Sequence, residues 1–152
     1  MAEKTINIEN RKAGFNYFIT ASNEAGIILT GTEIKSVREG KANLSDAWCY
    51  MKNEELWIKN MHISEYAPGS YNNHVPKRER KLLLNKSELI KLISRLREKG
   101  TTIVPLRLYI NERGYAKLEI GIARGKKKFD KRESLKEADA KREMSQVKKI
   151  FI

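Results

Sequence analysis

Short strand-like runs at even spacing, with no alternation of strand and helix, constrain this 152-residue chain most. Phe15, Tyr17 and Ile19 alternate with Asn16, Phe18 and Thr20, the period of two that marks a half-buried strand. Residues 25–30 predict a second, more buried strand, with Asn23-Glu24 as the turn between them. Thr32 is placed to cap a short helix over 33–39, ended by Gly40. Residues 48–51 and 56–63 predict a hairpin turning at Lys52-Asn53-Glu54-Glu55. Residues 101–110 and 115–123 predict another, through Asn111-Glu112-Arg113-Gly114. Pro105 cannot donate to a ladder and marks an edge or bulged position. The reading is mainly β with helices: a small antiparallel β-barrel of the oligonucleotide-binding type, about six strands, with helical insertions.

Residues 1–13 are polar and predict a mobile N-terminal arm before a barrel domain over 14–125. Ala67-Pro68-Gly69-Ser70 marks a turn, and the chain to Pro76 reads as a long loop. The clearest helix follows. Asn85 is its N-cap, Glu88 completes most of a capping box, and Leu89, Leu92, Ile93 and Leu96 share one face. Gly100 ends it. Residues 126–152 form a basic tail in which Ala140, Met144, Val147 and Phe151 make a thin helical stripe. Such a stripe predicts a tail disordered when free and helical in a groove.

Charge is concentrated. The net charge is +12, yet residues 77–99 carry nine basic and three acidic side chains, and residues 124–149 carry eleven and five. The two segments therefore hold the whole excess, as two contact surfaces for a polyanion would. An anionic membrane would want a wide apolar face opposite the lysines, which neither segment offers. In Gly125-Lys126-Lys127-Lys128-Phe129-Asp130-Lys131-Arg132 a ring sits among cations, which suits phosphate neutralisation and base stacking. A solvated basic tail has the same composition.

Catalytic signals are sparse. Cys49, the single cysteine, excludes an internal disulfide, fits a reducing cytosol and lies in an apolar run as a buried structural residue. His62 reads as a half-buried sheet residue, and His74 as a loop residue able to touch a ligand. Neither has metal-ligand spacing. Glu24, Glu33 and Asp46 could converge as a metal-dependent nuclease needs, though their spacing does not require it. No phosphate-cradling glycine motif is present, so no nucleotide cofactor is expected. Met1-Ala2-Glu3-Lys4 opens no apolar signal segment and no run approaches a membrane span, which predicts a soluble, cytoplasmic protein without a cofactor.

Several runs, in order, resemble one family. They are Asn10-Arg11-Lys12-Ala13, Glu24-Ala25-Gly26-Ile27, the stretch from Gly31-Thr32-Glu33-Ile34-Lys35-Ser36-Val37-Arg38 to Asn43-Leu44-Ser45-Asp46, Arg78-Glu79-Arg80-Lys81-Leu82-Leu83-Leu84, and Gly125 to Arg132. Together they resemble small protein B, the partner of transfer-messenger RNA, over about residues 8–135. The resemblance implies a non-enzymatic adaptor for rescue of stalled ribosomes. The barrel would bind the tRNA-like domain of transfer-messenger RNA and deliver it to the vacant A site. The protein would take the place of an anticodon arm, with its tail in the empty mRNA channel. By resemblance, Asn10, Glu24, Lys35, Arg38, Arg80, Lys81, Leu83 and Lys117 face that RNA. Glu24 fits only as an acceptor from base edges, and Leu83 is equally readable as core. Lys126, Lys127, Lys128, Phe129, Asp130, Lys131 and Arg132 would meet the decoding centre and channel wall, unless Asp130 caps a tail helix. A small nuclease and a single-strand RNA chaperone are the competing readings.

Overall fold

The computed structural model describes residues 6–67 and 73–125. In chain order these form β1 (Asn7–Glu9), α1 (Arg11–Asn16), β2 (Tyr17–Ile27), α2 (Gly31–Arg38), β3 (Ala42–Asn43), β4 (Trp48–Lys52), β5 (Glu55–Lys59), β6 (His62–Ile63), β7 (Arg80–Leu83), α3 (Lys86–Leu96), β8 (Thr101–Ile110) and β9 (Ala116–Gly125). Seven strands join in the order β1-β8-β4-β5-β7-β2-β9, and β8 also pairs with β9. Six of them therefore close an antiparallel ring, with β1 paired to the far end of β8, on the edge that β4 meets at Ile103. Closure removes the unpaired edges an open sheet would expose.

Alternation fills the ring. Ala25, Ile58, Leu82, Ile103, Leu108, Leu118 and Ile120 point inward and are buried, while their sequence neighbours face out. The hairpin β4–β5 turns on Asn53 and Glu54, both with positive φ, the backbone of a tight two-residue turn. The ladder of β8 on β9 shifts register between Pro105 and Arg107, the bulge that proline required.

The ring has the expected number of strands but not the expected ones. Residues 25–27 are not a separate strand, and Asn23-Glu24 is not a turn. Both polar residues lie inside one long strand, β2, which bends by a register shift between Ile19 and Ala21. Residues 56–63 are not one strand either. The chain breaks at Asn60, which has φ 63°, and β6 leaves to pair with β3. The sixth ring strand is β7, whose charged residues read as a basic patch. Residues 6–13, read as part of a mobile arm, are built into the fold as β1 and the start of α1. Asn10 donates its backbone N–H to Leu106 O at 2.8 Å.

Helix α2 begins two residues earlier than the sequence suggests. Thr30, not Thr32, is the N-cap, and it forms a capping box with Glu33. The Thr30 backbone N–H donates to Glu33 Oε1 at 2.8 Å. Thr32 instead bonds the buried His74, whose Nδ1 lies 2.9 Å from Thr32 Oγ1. His74 Nε2–H donates to Ile63 O at 2.9 Å. His74 thus serves the packing and is not a free loop ligand.

Glu33 is also the centre of a buried ion cluster. Its side chain is fully buried. Arg78 Nη2 donates to Oε1 at 2.6 Å, and Arg80 Nε donates to Oε2. The fully buried Arg80 reaches on, to Met61 O at 2.7 Å and Pro76 O at 3.2 Å. Burial alone would raise the Glu33 carboxyl. The bonds from Arg78 and Thr30, with the charge and bond of Arg80, outweigh it and hold the carboxyl below its usual range. The cluster ties α2, β7 and the turn after β5 together.

Stability should follow. Arg80→Met leaves Glu33 buried with half its pairing, and should cost about 3–5 kcal/mol in urea unfolding. Because the folded pKa of Glu33 is depressed, its contribution is present above the unfolded value of about 4.3 and is lost as pH falls through the folded value. Unfolding measured against pH should therefore show a weaker acid dependence in Glu33→Gln than in the parent chain. Equal acid slopes would contradict the assignment.

Candidate nucleic-acid interface

The register of four strands aligns two rows on the outer face of the barrel. Gly26 of β2 stands opposite Leu83 of β7 on one side and Lys117 of β9 on the other. Lys117 in turn stands opposite Tyr109 of β8. The first row is therefore Leu83, Gly26, Lys117, Tyr109. Two residues along, Glu24 stands opposite Glu119, and Glu119 opposite Arg107. Leu83 is half exposed, which settles it as surface. Gly26 leaves room beside it: a Cβ there would lie 3.3 Å from Leu83 Cβ, a tight contact.

Two carboxylates directly opposite each other repel unless each is given a donor. Tyr109 Oη donates to Glu24 Oε2, and Arg107 Nε donates to Glu119 Oε2 at 2.6 Å. The Arg107 guanidinium also lies 4.3 Å from the centre of the Tyr109 ring. Burial of the phenol, then the Glu24 bond and charge, push Tyr109 up to about 12. The phenol thus stays a donor at neutral pH and holds Glu24 in one place. These rows carry two cations and two anions, so they suit base edges and shape better than a run of phosphates.

Cations flank the rows. Lys35 and Arg38 are exposed on α2. The Lys35 ammonium lies 5.5 Å from the Tyr66 ring centre. Arg38 lies against the β8–β9 turn, its Nη2 4.0 Å from where a Cβ of Gly114 would stand. Lys81, on β7, bonds Glu55 at 3.2 Å and keeps about a third of its side chain exposed. Three expected residues are placed otherwise. Arg80 is buried and committed to Glu33, so it is withdrawn as a phosphate contact. Asn10 spends its Nδ2 on Leu44 O at 3.2 Å and Pro105 O at 2.8 Å, which seats α1 against the barrel. Glu33 is enclosed by arginines, so it is not free to join Glu24 and Asp46 as a metal site. Among the described residues no three metal-ligating side chains gather. Cys49 is buried and its thiol pushed up by that burial, which leaves it a packing residue. Lys126 to Arg132 lie outside the described residues.

Arg107, Tyr109 and Glu119 escaped the sequence reading. The signal was there in the alternation of Arg107-Leu108-Tyr109 and Lys117-Leu118-Glu119, which puts all four polar residues on one face. The Tyr109–Glu24 bond gives a direct check. In Glu24→Gln the phenol should titrate lower than in the parent, towards the ordinary value of about 10. Tyrosine-labelled NMR across alkaline pH reads this, and an unmoved Tyr109 would refute the bond.

Comparison with known proteins identifies the family. A family model described as SmpB protein matches residues 7–150. An SsrA-binding protein of Phocaeicola vulgatus is 58% identical over 147 residues, 97% of this chain and 98% of its own length. An SsrA-binding protein of Desulfitobacterium hafniense is 49% identical over 146 residues, 95% of this chain and 93% of its own length. A solved chain from "tmRNA-SmpB: a journey to the center of the bacterial ribosome" superposes with a TM-score of 0.70 at 45% identity, covering 86% of this chain and 94% of that one. With a family match over almost its whole length and relatives this similar across it, the chain belongs to the SmpB protein family.

Proposed function

We propose that this chain is an RNA-binding adaptor of trans-translation, with no catalytic step of its own. It binds the tRNA-like domain of transfer-messenger RNA on the β2–β9 face and carries it to the vacant A site of a stalled ribosome. The observation that carries this is the pair of rows described above: a charge-balanced strip with an oriented acceptor, Glu24, flanked by Lys35, Arg38 and Lys81. A folded RNA elbow offers both partners, base edges to the strip and phosphates to its rim. Names support the reading too, since the relatives are SsrA-binding proteins and the solved neighbour is described with tmRNA and the ribosome.

In this reading Glu24, Leu83 and Lys117 meet the RNA in the strip, and Lys35, Arg38 and Lys81 meet its backbone. Asn10 acts by seating α1. Arg80 acts only through the fold. Lys126, Lys127, Lys128, Phe129, Asp130, Lys131 and Arg132 serve the second surface, at the decoding centre and mRNA channel. That assignment rests on the charge and the ring in the sequence and on the family. An adaptor that acts on the ribosome acts in the cytoplasm. None of the described helices is long and apolar enough to cross a membrane.

Salt titration separates the residue classes. Lys35→Ala and Arg38→Ala should each lower the salt slope of log K for a tRNA-like RNA by about 0.9, if each removes one phosphate contact. Glu24→Gln should weaken binding with the slope unchanged. Unchanged slopes in both cation variants would remove them from the interface. Truncation after Gly125 should leave RNA binding near normal and abolish tagging of a stalled nascent chain. A nuclease centred on the barrel would instead show turnover that EDTA stops, and a chaperone would bind unstructured RNA as well as the folded one.

A further inference from the structure

The cations of α3 take no part in the surfaces described above. Residues 86–99 carry five basic side chains and two acidic ones. Both acids are already bonded: Asn23 Nδ2 donates to Glu88 Oε2 at 3.3 Å, and Arg124 Nη2 to Glu98 Oε2 at 3.2 Å. Leu92 is buried, and Leu89 and Leu96 pack with it against the core. A second apolar strip runs along another side of the helix, and Ile93, expected on the buried face, belongs to it. Ile90, Ile93, Ser94 and Arg97 stand at i, i+3, i+4 and i+7 and line a groove of about 410 Å³. Ile90 is 58% exposed, against 2% for Leu92. That is open apolar surface on a helix whose core face is already filled.

We propose that this strip holds the chain's own residues 133–147, laid along α3 as an antiparallel helix while the protein is off the ribosome. The chain leaves the barrel at the right place. β9 ends at Gly125, and the bond from Arg124 to Glu98 fixes that end beside the last turn of α3. Residues 126–132 then suffice to turn back, since an extended residue spans about 3.3 Å. Glu133, Glu137, Ala140, Met144 and Val147 follow at i, i+4, i+7, i+11 and i+14, a helical face that opens acidic and continues apolar. Its spacing matches α3 read backwards. Glu137 to Ala140 to Met144 is a step of three residues and then four, and so is Arg97 to Ser94 to Ile90. Glu137 therefore meets Arg97, the small Ala140 meets Ser94, and Met144 covers Ile90 with Ile93 beside it. Four of the tail's five acids lie in 133–143, where they outnumber the bases by four to three, so this is the part of a basic tail that a basic helix accepts. The tail helix is marginal alone, and the tether supplies it at an effective concentration on the order of mM, which makes docking reversible. The docking itself needs no RNA. Its use rests on the adaptor reading: it keeps the tail beside the barrel until the mRNA channel competes for it.

The full chain, without RNA, tests this. A spin label is attached at Ser145→Cys, the native Cys49 being buried away from the reagent. The label should broaden the amide NMR peaks of Ile90, Ile93 and Arg97. It should spare Asn111 to Gly114, the turn at the far end of β8 and β9. Ile90→Asp, at an exposed position, and Arg97→Glu should each abolish the broadening, and Arg97→Glu combined with Glu137→Arg should restore it. A mixture of isotope-labelled chain without the spin label and ordinary chain carrying it should show no broadening, which separates the tail from a second copy. No broadening on α3 in the full chain, undiminished broadening in Ile90→Asp, an unrestored double variant, or broadening in the mixture would overturn the docking. The sample holds no RNA, so its failure leaves the adaptor reading standing, and failure of a tRNA-like RNA to bind leaves the docking to be judged by these peaks.

Discussion

A buried carboxylate between two arginines pins an outlying helix to the shortest strand of this barrel. Glu33 belongs to a short helix outside the ring, and Arg80 to the shortest strand in it. The same carboxylate closes the helix's capping box. Two arginines are needed because one carboxylate must satisfy four lone-pair sites out of water, and the capping N–H fills only one of them. Arg80 spends its remaining donors on carbonyls of Met61 and Pro76, the ends of the excursion that carries β6 and the following loop. Replacing this cluster by apolar side chains could give equal stability. What it supplies is placement: α2 is fixed on the ring, and with it the exposed Lys35 and Arg38.

From that placement the two faces follow. The β2–β9 side has long strands whose register runs unbroken from Ala21 to Gly26 in β2 and from Arg107 to Ile110 in β8, so its outward residues there form straight rows. Straight rows allow a charge to be answered by its neighbour across the ladder, as Arg107 answers Glu119. The β4–β5 side is a short hairpin, and its outward residues are rings and lysines. A ring of six strands sets these faces back to back.

How much of this was legible in the sequence depended on whether the deciding interaction was local. The turns of both hairpins, the bulge at Pro105, the helix after Asn85 and the burial of Cys49 all follow from patterns a few residues wide, and all hold. The errors came where a distant partner decided. Asn23-Glu24 looks like a turn until Tyr109 and Glu88 are seen to bond these side chains within a strand. Arg80 looks like a phosphate contact until its neighbour Leu82 is placed inward, which forces Arg80 inward too. Thr30 outranked Thr32 as the cap because the buried His74 claims Thr32. The proposed RNA face was half visible: Glu24, Leu83 and Lys117 came from family resemblance, whereas the alternation around Leu108 and Leu118 showed Arg107, Tyr109 and Glu119 on one face but not which strands lay beside them.

The central claim is that one folded RNA is the proper occupant of the β2–β9 face. Isolation of the protein from its own cells, with bound RNA recovered and sequenced, tests it most directly. The account predicts that a single tRNA-like RNA dominates the recovered pool far beyond its cellular share, and that Glu24→Gln depletes it. A pool that mirrors total cellular RNA would contradict the account.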